Sequence, residues 1–364
     1  MINKKILIAT GGTGGHIFPA YSLSNYFKKK GYLVNLTSDK RGLKYLKNFK
    51  DLAPINIYSY PIDKRNIFKL LFSLLIILFS TLKSFFFLLL NRPSLVFGMG
   101  GYSSFPICVA AYILRIKLVI YENNLVIGKT NRYLLPFSKK IFVAFKDLEG
   151  VPEKYKNKIF EVGNVIREEI IHSSNQYNKS GNFENLNILV LGGSQAAKIF
   201  AEVLPPIFEK IHNNGAKIKI FQQCQINQSK ILIDFYKKTK IDSVIFNFTE
   251  NIKEYYDKAN LVITRSGASV LGEIINVKIP FISIPLPTSA DNHQYKNAKF
   301  HSKKGYGFLI EEKNIKNQLF EVLSAINKDK SLLKKILLNQ SQYSDIDVFE
   351  NINKVTEKIL NEKN

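Results

Sequence analysis

Residues 4–23, "KKILIATGGTGGHIFPAYSL", decide the fold. A short apolar run of strand length breaks into four glycines, and a segment with helical spacing follows, so the stretch reads as a buried strand, a glycine turn and the start of a helix. The same device returns at 187–197 as "NILVLGGSQAA". Between and after the two lie further strand-like runs: "LVNLTS" (33–38), "SLVFGMG" (94–100), "KLVIYE" (117–122), "KIFVAF" (140–145), "KIKIFQQ" (217–223), "SVIFNF" (243–248), "LVITRSG" (261–267) and "PFISIPLP" (280–287). Segments of helical length separate most of them. Strand and helix in alternation imply crossover units and parallel sheets, and the restart implies two Rossmann-like α/β domains. The join falls within "FEVGNVIREEI" (160–170), giving domains at 1–163 and 164–342. "HSSNQYNKSGNFEN" (172–185) reads as a loop, and "DIDVFENINKVTEKILNEK" (345–363) as an amphipathic helix, so that 343–364 packs back on the first domain.

A chain of 364 residues is long enough for two such cores. Its two cysteines, Cys108 and Cys224, are far apart and form no CxxC pair, so neither a disulfide framework nor a zinc site is expected and a reducing compartment is. The opening "MINKKILIAT" has too short an apolar run for a secretory signal and gives way to glycines, not a cleavage site, so a mature cytoplasmic N-terminus is expected. Lys and Arg number 52 against 29 Asp and Glu, a formal charge of +23, which favours an anionic partner. The lysines are dispersed and no RNP, KH or zinc-finger pattern is present, so nucleic acid is not the expected partner.

Each glycine turn can bring a phosphate or sugar close to backbone N–H groups at a helix start. "GGTGG" is not the dinucleotide fingerprint, because GxGxxG counted from Gly12 and Gly14 meets Ile17, and no GxxxxGK[ST] occurs. What remains is ligand binding at the carboxyl ends of parallel strands. No metal cluster is visible in the sequence, and no bound cofactor is expected.

Seven ordered motifs extend this reading: "GGTGGHIFPA" (11–20), "GMGGYSSFP" (98–106), "YENNLVIGKTNR" (121–132), "GNVIRE" (163–168), "GGSQAA" (192–197), "TRSGASVLGE" (264–273) and "PLPTSADNHQYKNA" (285–298). In order and spacing the chain resembles the MurG family over nearly its whole length. The resemblance implies a GT-B fold, two Rossmann-like domains with parallel sheets facing a central cleft. It implies an inverting transferase that moves N-acetylglucosamine from UDP-GlcNAc to the 4-hydroxyl of the muramyl sugar in undecaprenyl-pyrophosphoryl-MurNAc-pentapeptide (lipid I to lipid II). By position, Thr13, Gly14, Gly15, Asn124, Arg167, Ser194, Ile252, Ala268, Glu273 and Gln294 would bind the donor. Ser194 would meet the diphosphate, the Ile252 backbone the uracil, and Glu273 the ribose hydroxyls. A carboxylate suits paired hydroxyls, and an arginine fork such as Arg167 or Arg265 suits phosphate oxygens.

Inversion needs a base for the acceptor hydroxyl and electrostatic support for the leaving diphosphate. His16, at the end of the first glycine turn, is the leading catalytic candidate; it either accepts the proton or caps the turn and positions substrate. Glu122 is the second candidate base. His293, beside Gln294, is expected to orient the donor sugar, and His172, His212 and His301 to lie on the surface. Four positions depart from the family pattern: Tyr121 and Asn123 stand in a run that is usually His-Glu-Gln-Asn, Val165 replaces the proline of GNPVR, and Ala196 replaces a common glycine. Altered tuning is expected from them, not loss of function.

Residues 66–98, "NIFKLLFSLLIILFSTLKSFFFLLLNRPSLVFG", contain an apolar run from Ile67 to Leu90 long enough to span a bilayer. A single crossing there would divide a domain whose sheet needs both halves, and Lys83 would be placed in the apolar window. The segment is instead expected to pack on the sheet with one side and enter the membrane interface with the other, flanked by Lys64, Arg65, Lys69, Lys83 and Arg92; the alternative is a plain core helix. The expected location is peripheral, on the cytoplasmic face of the bacterial inner membrane, with its anionic surface as a partner. A UDP-GlcNAc 2-epimerase would share fold and donor but has no use for this apolar run.

Overall fold

The computed structural model describes residues 4–12, 14–46, 54–57, 66–173, 183–193 and 197–362. Most of the short apolar runs become buried strands, as the near-continuous hydrophobicity of parallel strands requires, while the run at 243–248 forms a partly exposed edge strand. In the first unit the strands are β1 (Lys5–Ala9), β2 (Leu33–Ser38), β3 (Ile55–Asn56), β4 (Leu95–Gly98), β5 (Lys117–Glu122), β6 (Lys140–Val143) and β7 (Ile159–Glu161), in sheet order β3-β2-β1-β4-β5-β6-β7. In the second they are β8 (Leu186–Leu191), β9 (Ile218–Gln223), β10 (Asp242–Phe246), β11 (Leu261–Thr264), β12 (Phe281–Ser283) and β13 (Gly307–Leu309), in order β10-β9-β8-β11-β12-β13. All pairings are parallel. The strand order reverses beside β1 in one sheet and beside β8 in the other, and the quoted glycine turns leave those strands and their neighbours β4 and β11. This is where doubly wound sheets bind ligands.

The chain divides into Met1–Arg167 with Asp347–Asn364, and Glu168–Ile346. The first unit carries the helices α1 (Gly14–Lys29), α2 (Lys40–Leu46), α3 (Ile67–Asn91), α4 (Ser104–Ile113) and α5 (Lys129–Leu134). The second carries α6 (Glu168–Ser173), α7 (Lys198–Asn213), α8 (Ser229–Lys238), α9 (Lys253–Lys258), α10 (Ala268–Asn276), α11 (His293–Lys303), α12 (Phe320–Lys328) and α13 (Ser331–Ser341). The last helix, α14 (Val348–Asn361), belongs to the first unit. There the Phe349 ring stacks on Tyr26 at 5.1 Å, and the Tyr26 hydroxyl donates to Glu350 at 2.8 Å. Lys117 Nζ closes the helix by donating to the Ile359 and Glu362 carbonyls at 2.9 and 2.6 Å, a cation at the negative end of a helix dipole.

Three strands lie beyond the sequence reading. β3, β7 and β13 are two or three residues long, too short to show a period, and all lie at sheet edges. β13 also opens on a glycine, because a Cβ at Gly307 would stand 2.6 Å from the Phe281 ring of β12. Residues 174–182 of the expected loop lie outside the described residues, and α6 runs to Ser173.

Helix α3 is built inside out. Its buried positions are Ser73, Ser80, Ser84 and Leu88, along the side that packs on α4. Its outer side carries Phe68, Leu75, Phe79, Phe86 and Leu90, all more than 60% exposed. Small serines let the two helices approach closely, but the hydroxyls of Ser80 and Ser84 have no partner among the described residues. A water-soluble helix would reverse this polarity. By length and composition α3 could cross a membrane. Yet β1, which precedes it, pairs with β4, which follows it, from Ile6 against Leu95 onward.

Candidate functional site

In the first unit the site grows from two glycine turns that interlock. Gly11, after β1, leaves room for Ser103, whose Oγ would lie 1.5 Å from a Cβ at that position. Ser103 Oγ donates to the Thr10 carbonyl at 3.1 Å. Gly101, at φ +77°, sits against the Gly11 carbonyl, which would be 2.4 Å from a Cβ there. Larger residues at either place would force the turns apart. Gly14 and Gly15 open α1, and Thr13 lies outside the described residues. His16 is half-buried, and its ring lies against Gly100: a Cβ at Gly100 would stand 2.9 Å from Cε1 and 3.0 Å from Nδ1. The Thr10 hydroxyl donates to the His16 carbonyl at 3.1 Å. The imidazole is therefore wedged between the turns that leave β1 and β4.

At the end of β5, Glu122 is 3% exposed and organises a loop. Its Oε1 accepts from the Asn124 backbone and side-chain nitrogens at 3.1 and 2.8 Å, and its Oε2 from Gly128 N and Asn131 Nδ2 at 2.9 and 3.0 Å. Four donors hold this buried carboxylate, which fixes Asn124 and the "NNLVIG" loop. Next to it, the Tyr121 hydroxyl accepts from Val165 N at 2.8 Å and donates to the Gly163 carbonyl at 3.2 Å. Two of the departures from the family pattern therefore touch: a proline at 165 has no N–H to give, whereas Val165 donates to the phenol that replaces histidine. Arg167 lies over the Phe18 ring of α1 at 4.3 Å, and Phe18 meets Tyr45 of α2 edge-on.

In the second unit the turn after β11 and the loop after β12 are tied together. Gln294 Oε1 accepts from Leu286 N at 2.9 Å and from Ser266 N at 3.3 Å, and Asn297 Nδ2 donates to the Ser266 carbonyl at 3.2 Å. Ala268 and Glu273 are buried in α10. The Tyr256 hydroxyl, on α9, donates to Glu273 Oε2 at 3.0 Å and so fixes the carboxylate. Ile252 is buried just before α9, and its carbonyl accepts the Tyr255 and Tyr256 N–H groups. In the turn after β8, Gly192 N donates to Gln223 Oε1 at 3.1 Å, while Ser194 and Ala196 lie outside the described residues.

The structure thus places Gly14, Gly15 and His16 at one turn and Glu122 and Asn124 at a second, and ties Gln294 to the turn at Ser266 that leads into α10, the helix that holds Ala268 and Glu273. Three expectations are corrected. Arg265 is no phosphate fork: it is buried, pairs with Glu312 through Nη2, and donates through Nη1 to the Ile284 and Pro285 carbonyls. His301 is not on the surface but 2% exposed in α11, where burial holds its imidazole far below the usual range, at about 3. His212 is half-buried, and the His172 side chain lies outside the described residues. His293 Nδ1 is 2.8 Å from the Ala290 carbonyl. Sequence reasoning passed over Asp39, Ser103, Asn131 and Tyr256. Ser103 and Asn131 lie inside quoted motifs, and a polar residue facing a glycine or a carboxylate was the available signal; Tyr256 had none, since its role depends on α9 meeting α10.

Residues 6–143 match the glycosyltransferase family 28 N-terminal domain, and residues 187–348 the glycosyltransferase family 28 C-terminal domain. The chain is 34% identical to the UDP-N-acetylglucosamine--N-acetylmuramyl-(pentapeptide) pyrophosphoryl-undecaprenol N-acetylglucosamine transferase of Pelagibacter ubique, over 99% of this chain and all of that one. It is 36% identical to the protein of the same name from Rickettsia felis, over 90% and 92% of the two chains. Among solved structures, Acinetobacter baumannii MurG matches with a TM-score of 0.76 at 25% identity, over 98% and 99% of the two chains.

Proposed function

We infer the reaction from family membership: the chain belongs to glycosyltransferase family 28, and within it to the MurG transferases. It is a UDP-GlcNAc-dependent hexosyltransferase of peptidoglycan synthesis, which moves N-acetylglucosamine onto lipid I to make lipid II. The observation that carries this is the end-to-end identity with transferases of that name, 34% over 99% of the chain.

The residue roles are our proposal. The first unit binds the lipid-linked acceptor, and the nucleotide sugar is bound mainly by the second, with Asn124 of the first unit among its contacts. Glu273, fixed by Tyr256, holds the ribose hydroxyls, and the Ile252 backbone meets uracil. Gln294 has its carbonyl oxygen spent on two loop amides and offers its amide nitrogen to the sugar. Ala268 lies at the start of α10, where backbone N–H groups face the diphosphate, and Ser194 is assigned to the same diphosphate by its place in the "GGSQAA" motif. Arg167 adds a fork, and Thr13, Gly14 and Gly15 complete the donor contacts. The acceptor 4-hydroxyl attacks the anomeric carbon opposite the departing UDP, forming the new C–O bond as the sugar–phosphate bond breaks, through an oxocarbenium-like state. His16 accepts the hydroxyl proton, and the electron pair leaves on UDP. Glu122, saturated by four donors, serves by placing Asn124 and not as the base.

The exposed face of α3 meets the membrane that carries the acceptor. Its large apolar side chains enter the interface, and Lys69, Lys83 and Arg92, all exposed, meet anionic headgroups on the cytoplasmic leaflet. Lys64 and Arg65 lie outside the described residues. The test is incubation with sugar-labelled UDP-GlcNAc and a short-chain lipid I analogue. Label in the lipid product is expected; release of the C2 epimer without a lipid product would point to an epimerase instead.

A further inference from the structure

We infer that Arg41 contacts a pyrophosphate group of a substrate and is held for that contact by Asp39. The inference rests on the transferase reading above. Asp39 follows β2 and is 6% exposed, beside the first glycine turn. Its Oδ1 accepts from Gly12 N at 3.1 Å and Gly42 N at 2.9 Å, and its Oδ2 from Arg41 Nε at 3.1 Å and Nη2 at 2.8 Å. One carboxylate thereby ties the turn after β1 to the start of α2 and grips the guanidinium along one edge.

Two further contacts fix where that guanidinium lies. It stands 4.5 Å from the centre of the Tyr102 ring, which belongs to the glycine turn after β4. Its Nη2 would be 3.6 Å from a Cβ placed at Gly12. Arg41 is thus fastened between the carboxyl ends of β1, β2 and β4, at the reversal of strand order where such sheets take ligands. An arginine that served only to neutralise a buried carboxylate would be expected to bury its own fork, as Arg265 does at 9% side-chain exposure; the Arg41 side chain is 49% exposed. Side-on pairing leaves the Nη1 edge for a second planar or tetrahedral anion, and the stacked, paired geometry has already removed most of the rotamer freedom that binding would otherwise restrict. Both substrates of the transferase reading carry a pyrophosphate, the nucleotide sugar and the polyprenyl-linked acceptor.

Binding of UDP and, separately, of a short polyprenyl pyrophosphate is measured on the full chain for wild type, R41Q and R41K, with melting temperatures recorded alongside. R41Q is expected to weaken one of the two by about tenfold at low salt, to lose most of that difference at high salt, and to melt within a few degrees of wild type. The ligand affected names the source of the pyrophosphate. R41K is expected to recover only part, because a single ammonium cannot grip Asp39 side-on and also meet a phosphate. Equal affinities of wild type and R41Q for both ligands would overturn the inference, as would parallel weakening of both with a large fall in melting temperature, the mark of a purely structural pair. Transfer to the lipid I analogue by the wild type, measured in parallel, tests the transferase reading separately: its absence alongside an R41Q-specific binding loss would sink that reading and leave the pyrophosphate contact standing.

Discussion

Replacing Tyr121 by phenylalanine removes one oxygen from a place where water cannot substitute for it. Tyr121 is 3% exposed and Val165 is fully buried, so Tyr121→Phe orphans the Val165 N–H and takes a donor from the Gly163 carbonyl. An unsatisfied buried amide costs roughly 1–3 kcal/mol, and the net hydrogen bond lost is of the same order, so a loss of about 2 kcal/mol is expected. For a unit of this size that is about 4–8 °C in Tm. Urea unfolding followed by circular dichroism gives the global figure, and amide exchange over 160–168 reads the local one, with Val165 losing protection. The decisive variant is the double change. Val165→Pro deletes the orphaned donor, so adding it to Tyr121→Phe should recover about 1 kcal/mol relative to the sum of the single effects. Strict additivity, or a Tyr121→Phe effect under about 0.5 kcal/mol, would refute the claim that the two departures compensate each other.

Glu273→Ala is expected to raise the donor KM by about tenfold with kcat little changed, whereas His16→Ala lowers kcat by about 100-fold or more at similar KM; steady-state kinetics with each substrate varied would show the split, and the reverse pattern would exchange the two roles. Leu75→Asp with Phe79→Asp on the outer face of α3 should abolish sedimentation with vesicles containing anionic lipid while leaving the fold intact by circular dichroism, and retained binding would move the membrane surface elsewhere. His301 gives a pH prediction. Its imidazole titrates at about 3 in the folded protein against an ordinary 6.5, so between those values the unfolded chain binds a proton that the folded chain does not. Stability is therefore full above the ordinary value and falls as the pH drops through the window, by about 1.4 kcal/mol per unit. Urea midpoints for wild type and His301→Gln between pH 4 and 7 should diverge, the variant losing less on acidification; parallel curves would show that another group governs acid sensitivity.

The two-sheet architecture was legible because each sheet announces itself by a buried strand that ends in glycines, at 5–15 and again at 187–193. Apolar runs carried most strands, including the three-residue β12 within the longer run at 280–287, and failed for β3, β7 and β13, two or three residues long at sheet edges. The helix over 67–91 was legible in length but not in polarity: only the fold reveals that Ser73, Ser80 and Ser84 are the buried side. Candidate site residues were named from their motifs, and the fold sets Gly14, Gly15, Glu122 and Ala268 at or beside the ends of strands, while Thr13 and Ser194 lie outside the described residues. Their supports were not legible, because Tyr256 reaches Glu273 across 17 residues and Asp39 reaches Gly12 across 27, separations that leave no local signature. Arg265 shows the converse failure: in sequence its fork looks available, and only the fold brings Glu312 to it across 47 residues.

The most direct test of the account is the product of a reaction with UDP-GlcNAc and a short-chain lipid I analogue, isolated and examined by proton NMR. Inverting transfer predicts a single lipid-linked disaccharide in which the new sugar joins the muramyl 4-oxygen with an anomeric configuration opposite to that of the donor. Retained configuration would contradict the single-displacement mechanism, and UDP release with no lipid-linked product would contradict the transferase reading itself.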